Sequence, residues 1–302
     1  MRGTFSLFAV SVMLAAQIAR GDCGSIPFKP WVSVFEPNQR AVIAYDGKQE
    51  ILLLSTDLRA SEPTKVLEVI PLPAEPEVKK GDVEVFSRAT ELINRKLFPR
   101  KRAAGAGGGL GGMGGFGAGA ALPPAGEVTF HDKIGAHDIS VTHVLAHDRF
   151  VTWVEDYLRK SGVDNPTIPA PLEAVVQEYL RDGFKWFVFD VVELGKKTVT
   201  KDAIQYRFKT PFLYYPLKIT RAEKGDTTVR LLILSPRLVK LPRSESVRVR
   251  LVHRPLEVSK RELDEIDHDL CEFLRSRAQV LLRTWEIKGQ LSGFQDDLVT
   301  SW

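Results

Sequence analysis

The chain has 302 residues, of which 44% are hydrophobic and 26% charged, with a formal net charge of +4 at pH 7. This suits a protein that folds around a core, and the length allows one large domain or two small ones. Removing residues 1–21, read below as an export signal, takes away Arg2 and Arg20 and no acid, so the charge falls from +4 to +2. Such mild basicity leaves no electrostatic footprint for nucleic acid, and no nucleic-acid partner is expected.

One positive charge, Arg2, precedes a short apolar run ending near Ala16. Ala19 and Gly21 then supply the small residues that a signal peptidase needs just before its cut, which is predicted after Gly21. A membrane anchor would need about 20 predominantly apolar residues, and this run is shorter and interrupted by Ser, Thr and Gln. Arg20-Gly21-Asp22 before Cys23 argues against a lipidated N-terminus. No other segment is long and apolar enough to span a bilayer, so no stable membrane insertion is expected after cleavage. A periplasmic or secreted location follows.

Residues 22–98 form a strand-rich part. Arg40–Tyr45 and Glu50–Asp57 flank Asp46-Gly47, a hairpin signal with Gly at a positive φ. Val66–Leu72 reads as a strand that stops at Pro71 and Pro73, fitting a sheet edge or strand end. Val83–Leu97 switches to helical spacing, with Phe86, Ala89, Ile93 and Leu97 on one stripe. Residues 99–126 are Gly-rich and read as a flexible loop or linker. Its leading Arg100-Lys101-Arg102 is a solvated loop edge, a nick site or a contact for an anionic surface.

Residues 127–302 form a C-terminal part that can share one domain with 22–98. A strand is predicted over Ala136–Leu145. Two helices follow, the first capped by Asp148 and ended by Gly162, the second with Pro171 in its first turn and Gly183 at its end. Phe184–Leu194 is apolar on both alternations, the mark of a central buried strand. Ile204–Lys209, Leu213–Thr220, Thr227–Leu234 and Val247–His253 read as further strands. Ser259-Lys260-Arg261-Glu262 is a capping box opening a helix to about Arg275. Ala278–Ile287 leans to strand. Strands in runs with helices grouped between them give an α+β class of mostly antiparallel sheet segments.

Chemistry has few footholds in this sequence. His131, His137, His143 and His147 fall in one stretch; the first three are six apart, so on one continuous strand they would share a face. His143 and His147 have the i, i+4 spacing of metal ligands on a helix. His143, His147 and His137 are therefore the candidate metal ligands, and a metal-dependent hydrolase built on the His131–His147 stretch is the alternative function. Asp190, with Glu193 as companion, is a carboxylate at the end of a buried strand and a candidate acid or base; the competing reading is a structural hydrogen-bond acceptor. A Gly-x-Ser-x-Gly elbow and a phosphate loop are both missing. No catalytic residue is assigned and no cofactor is expected. Cys23 and Cys271 either pair, as the oxidising compartment favours, or stay separate, with Cys271 a small buried residue.

Six stretches stand out: Asp22-Cys23-Gly24; Val34 to Ala44, followed by Asp46-Gly47-Lys48; Val69-Ile70-Pro71-Leu72-Pro73-Ala74-Glu75-Pro76; Trp153-Val154; Phe208-Lys209-Thr210; and Tyr215-Pro216-Leu217. Together they resemble the exported bacterial proteins of the domain of unknown function 2330 family. The resemblance spans most of residues 22–260. It implies an exported α+β protein and brings no catalytic residues with it. The expected function is that of a non-catalytic envelope binding or structural protein, with an envelope or extracellular partner.

Overall fold

The computed structural model describes residues 24–98, 126–164, 166–200, 202–223, 225–240 and 248–302. In chain order the elements begin with β1 (Gly24–Pro27), β2 (Val34–Tyr45), β3 (Gln49–Ala60), β4 (Thr64–Leu72), β5 (Glu77–Lys80) and α1 (Glu84–Leu97). After the Gly-rich stretch come β6 (Gly126–Ile134), β7 (His137–Val144), α2 (Phe150–Lys160), α3 (Ala170–Arg181), β8 (Trp186–Leu194), β9 (Val199–Thr200), β10 (Ile204–Lys209) and β11 (Leu213–Tyr215). The chain continues with β12 (Asp226–Ser235), β13 (Arg248–Leu251), β14 (Leu256–Val258), α4 (Lys260–Ile266), α5 (His268–Leu274), β15 (Val280–Gln290) and β16 (Leu298–Thr300).

These elements stack in four layers. A five-stranded antiparallel sheet runs β1-β4-β8-β7-β6, and a second sheet runs β13-β15-β12-β2-β3-β10-β5 with β14 on β15 and β9 on β3. The second sheet is antiparallel except where β2 lies parallel to β12. Period-2 alternation assigns each strand face to a layer. Ala41, Ile43, Leu52, Val188, Ile233 and Trp285 meet between the two sheets. Phe187, Phe189 and Leu67 pack under α2 and α3, while Val42, Leu53, Leu232 and Leu282 pack under α1, α4 and α5. The α+β class holds. Strands from before and after the Gly-rich stretch interleave in both sheets, through β4 beside β8, β2 beside β12 and β3 beside β10.

Local chemistry explains most boundaries. Asp46 accepts the backbone N–H groups of Lys48 and Gln49, both at 2.8 Å, and Gly47 takes φ 98° to close the β2–β3 hairpin. A side chain at Gly47 would also collide with the Trp302 indole. Gly162 and Gly183, at φ 94° and 86°, end α2 and α3 as expected.

Four expectations need correction. Asp148 does not cap α2, because a 3-10 turn over His147–Arg149 precedes the helix and Arg149 takes the cap position without a side-chain bond. The Ser259 capping box is present, but the helix it opens breaks at Asp267, which turns extended and caps α5 through Leu270 N–H. Of the two readings of Pro71 and Pro73, the strand end holds, since β4 stops at Leu72, and the sheet edge does not, since β4 is interior; Pro71 is tolerated because β1 pairs only with residues 66–69, so that side of Pro71 has no ladder to feed. The strand at Leu213 stops at Tyr215, and Lys218–Ala222 forms a 3-10 turn. The Gly-rich stretch expected over 99–126 lies outside the described residues except for Gly126, which starts β6.

Candidate functional site: a buried His–Asp pair and an arginine-lined ledge

Of the predicted histidines, the structure joins only His137 to Asp190. His137 stands on β7 opposite Val192, and Asp190 on β8 opposite Ile139 and Glu68. Both side chains point between the sheets, where they expose 6% and 3% of their surface. His137 Nδ1 lies 2.5 Å from Asp190 Oδ2, and Nε2 lies 3.1 Å from the Asp202 carbonyl. A carbonyl only accepts, so Nε2 carries a proton. Nδ1 then either donates to a carboxylate or accepts from a carboxylic acid, and the pair is net neutral in both cases. That neutrality makes burial tolerable. The pair clamps Asp202, two residues before β10, to the first sheet. Among the described residues the pair is enclosed, with little of either side chain open to solvent.

The other histidines are elsewhere. His131 is on β6, across the turn at Gly135, so the expectation of a shared face on one strand fails. His143 stacks on Trp186 with ring centroids 4.4 Å apart, and His147 is exposed in the 3-10 turn. Six residues along β7 separate His143 from His137 by about 20 Å. Among the described residues no three His, Cys, Asp or Glu side chains gather as a metal site. Glu193 faces solvent near Lys65, away from Asp190. Cys271 is buried with a free thiol, whose pKa burial raises; Cys23, its expected partner, lies outside the described residues.

One constellation was missed at the sequence level. His131 Nδ1 is 2.9 Å from Ser140 Oγ, and its Nε2 is 3.4 Å from Asp138 Oδ1. The residue types match a nucleophilic triad. However, Ser140 sits in mid-strand between β6 and β8, is fully buried, and lies beneath Tyr157, whose hydroxyl is 3.1 Å away. Its backbone belongs to a ladder, so it offers neither a strained turn nor free N–H groups to hold an oxyanion.

The open chemistry lies on the far face of the larger sheet. α1, α4 and α5 cover only part of that face. Beside them the register sets Arg250, Glu286, Arg230 and Arg40 side by side on β13, β15, β12 and β2. Arg248 and Lys288 form the start of a second row. Glu286 is the hub: Arg250 Nε donates at 2.9 Å, with Lys288 Nζ at 3.1 Å and Arg230 Nη2 at 3.3 Å. Burial by itself would raise its pKa, but hydrogen bonds from Arg250, Lys288 and Arg230 outweigh burial and bring it down to about 2. Arg40 pairs with Asp57 at 3.5 Å and lies over the Phe86 ring of α1, 5.3 Å from its centroid, at the border of the helix layer. The side chains of Arg230, Arg250 and Lys288 remain more than half exposed.

The family model for an uncharacterized protein conserved in bacteria, DUF2330, matches residues 17–267. The chain belongs to this family. The DUF2330 match stops short of β15, although β15 supplies Glu286 and Lys288 to the ledge. No curated protein matches the chain. Among solved structures, it is similar to the crystal structure of baculovirus P35, at 9% identity over 92% of this chain and 99% of that one, with a TM-score of 0.46. It is also similar to a chain of the caspase-8/P35 complex, at 9% identity over 88% and 96%, with a TM-score of 0.43. Likeness at this level carries no functional weight for the DUF2330 chain.

Proposed function

We propose that this bacterial protein is exported and acts at the cell envelope as a non-catalytic binding protein. The observation that carries the reading is the exposed arginine ledge, a prepared cationic surface on a rigid sheet. The N-terminal charge, apolar run and small-residue pair supply the export part. The His137–Asp190 pair and Ser140 are enclosed, which directs attention to the surface. Fractionation of the producing cells tests the proposal: the chain should leave the cytoplasm, begin at Asp22 by intact mass, and sediment with isolated envelopes. A cytoplasmic chain that retains residues 1–21 would reject it. Deleting residues 100–126 should leave sedimentation intact, because the ledge is untouched; loss of sedimentation would move the contact to that stretch and its Arg100-Lys101-Arg102 run. Metal content tests the hydrolase alternative: stoichiometric metal that disappears in His143→Ala and His147→Ala would replace the binding reading.

A further inference from the structure

Neighbouring strands are about 4.8 Å apart, so the row Arg250-Glu286-Arg230-Arg40 spans about 14 Å across four strands. Five cations stand here, Arg40, Arg230, Arg248, Arg250 and Lys288, against Glu286 and Asp57, with Asp226 at the start of β12 as a third acid. A surplus of positive charge is thus concentrated on one strip of a chain whose overall balance is mild. Glu286 holds three of the cations by one end only and leaves their remaining N–H groups to solvent. The planar guanidinium fork matches phosphate oxygens in pairs, which a lysine cannot do.

The shape selects the partner. The strip runs across the strands along the edge of the helix layer, where Phe86 meets Arg40. A helix is about 10 Å thick, so the layer forms a wall beside the arginine floor. A planar bilayer meets that wall before it reaches the sheet. A thin chain lies along the floor without obstruction.

We propose that this ledge binds a linear phosphate-bearing polyanion, laid across the strands along the foot of the helix layer. The inference rests on the envelope-binding reading and names its partner class. The probe is labelled long-chain inorganic polyphosphate, titrated by anisotropy into the purified chain at about 50 and 200 mM salt. Counterion release makes binding to several phosphates fall steeply over that range. The combined change Arg230→Gln, Arg250→Gln and Glu286→Gln removes two cations without stranding the buried carboxylate, and should weaken binding at least tenfold. Arg248→Ser, which lies outside the Glu286 cluster, should weaken it severalfold with the melting temperature unchanged. Arg230→Lys with Arg250→Lys should fall between wild type and the triple variant, because charge stays while the fork is lost. Arg159→Gln on α2, an equal charge loss far from the ledge, should change nothing. Absence of polyphosphate binding at low salt, or equal loss in Arg159→Gln and Arg248→Ser, overturns the proposal. So does tighter binding to phosphatidylglycerol vesicles. If polyphosphate binds at the ledge while the chain stays cytoplasmic, the export reading fails and this assignment stands.

Discussion

Replacing His137 by Leu should lower folding stability by about 3–5 kcal/mol, the cost of breaking a buried ion pair by removing one partner. The structure supports the upper part of that range. Asp190 Oδ1 has no hydrogen-bond partner among the described residues, and Oδ2 depends on His137 at 2.5 Å. Without His137 the carboxyl loses that bond, and the Asp202 carbonyl loses its donor as well. Asp190→Leu should cost a similar amount by leaving the imidazole facing apolar neighbours. The double variant His137→Leu with Asp190→Leu should recover part of the loss, because Ile139, Val188 and Val192 flank the pair on the same face, while the buried Glu68 opposite Asp190 keeps the recovery incomplete. Urea unfolding monitored by tryptophan fluorescence yields all four stabilities, and the cycle should give a coupling of at least about 3 kcal/mol. Additive single effects, or a loss below about 1 kcal/mol in either single variant, would refute a mutually neutralised pair.

Glu50 is fully buried and burial pushes its pKa well up, only partly opposed by the bond from Tyr214 N–H. A raised folded value means its contribution is complete below the ordinary 4.5 and is lost as pH rises through the folded pKa; denaturation midpoints across pH should show this, and Glu50→Gln should remove it. Glu286 has the opposite sign. Its folded value near 2 gives stability that is complete above about 4.5 and lost as pH falls toward 2, and Glu286→Gln should flatten the acid limb of the same profile. Asp297 accepts from Tyr179 Oη at 2.6 Å, Lys218 N–H at 2.8 Å and Tyr214 Oη at 3.1 Å. Asp297→Ala should cost about 2–4 kcal/mol, and calorimetry should show a lower melting temperature by several degrees.

What the sequence disclosed was set by how local the cause is. The Asp46-Gly47 hairpin, the Ser259 capping box and the glycines ending α2 and α3 all act within a few residues, and all were readable. Phe184–Leu194 was readable as central because both of its faces are apolar, and it became β8 between β4 and β7. Strands β5 and β6 were not readable, since Glu77–Lys80 and Gly126–Ile134 are mostly exposed edges without a two-residue alternation. The break at Asp267 was hidden because Asp serves equally inside a polar helix face and as a cap. For the site, the sequence drew attention separately to His137 as a candidate metal ligand and to Asp190 as a candidate acid or base, but nothing local says that two residues 53 apart share a register. The ledge was invisible for the same reason: Arg40, Arg230 and Arg250 come from strands that only the sheet order brings together, and overall charge averages them away.

The parallel pairing of β2 with β12 joins residues 34–45 to residues 226–235, and β12 in turn leans on β15 at residues 280–290. The larger sheet therefore has no closed core until the last strands are made. Contacts of such sequence separation demand loop closure before they return any free energy, which slows folding and raises contact order. The smaller sheet draws all its strands from residues 24–194, so only the larger one must wait for the last part of the chain. A chain cut where the DUF2330 match ends would lack β15 and would leave β13 and β14 without the strand they pair with.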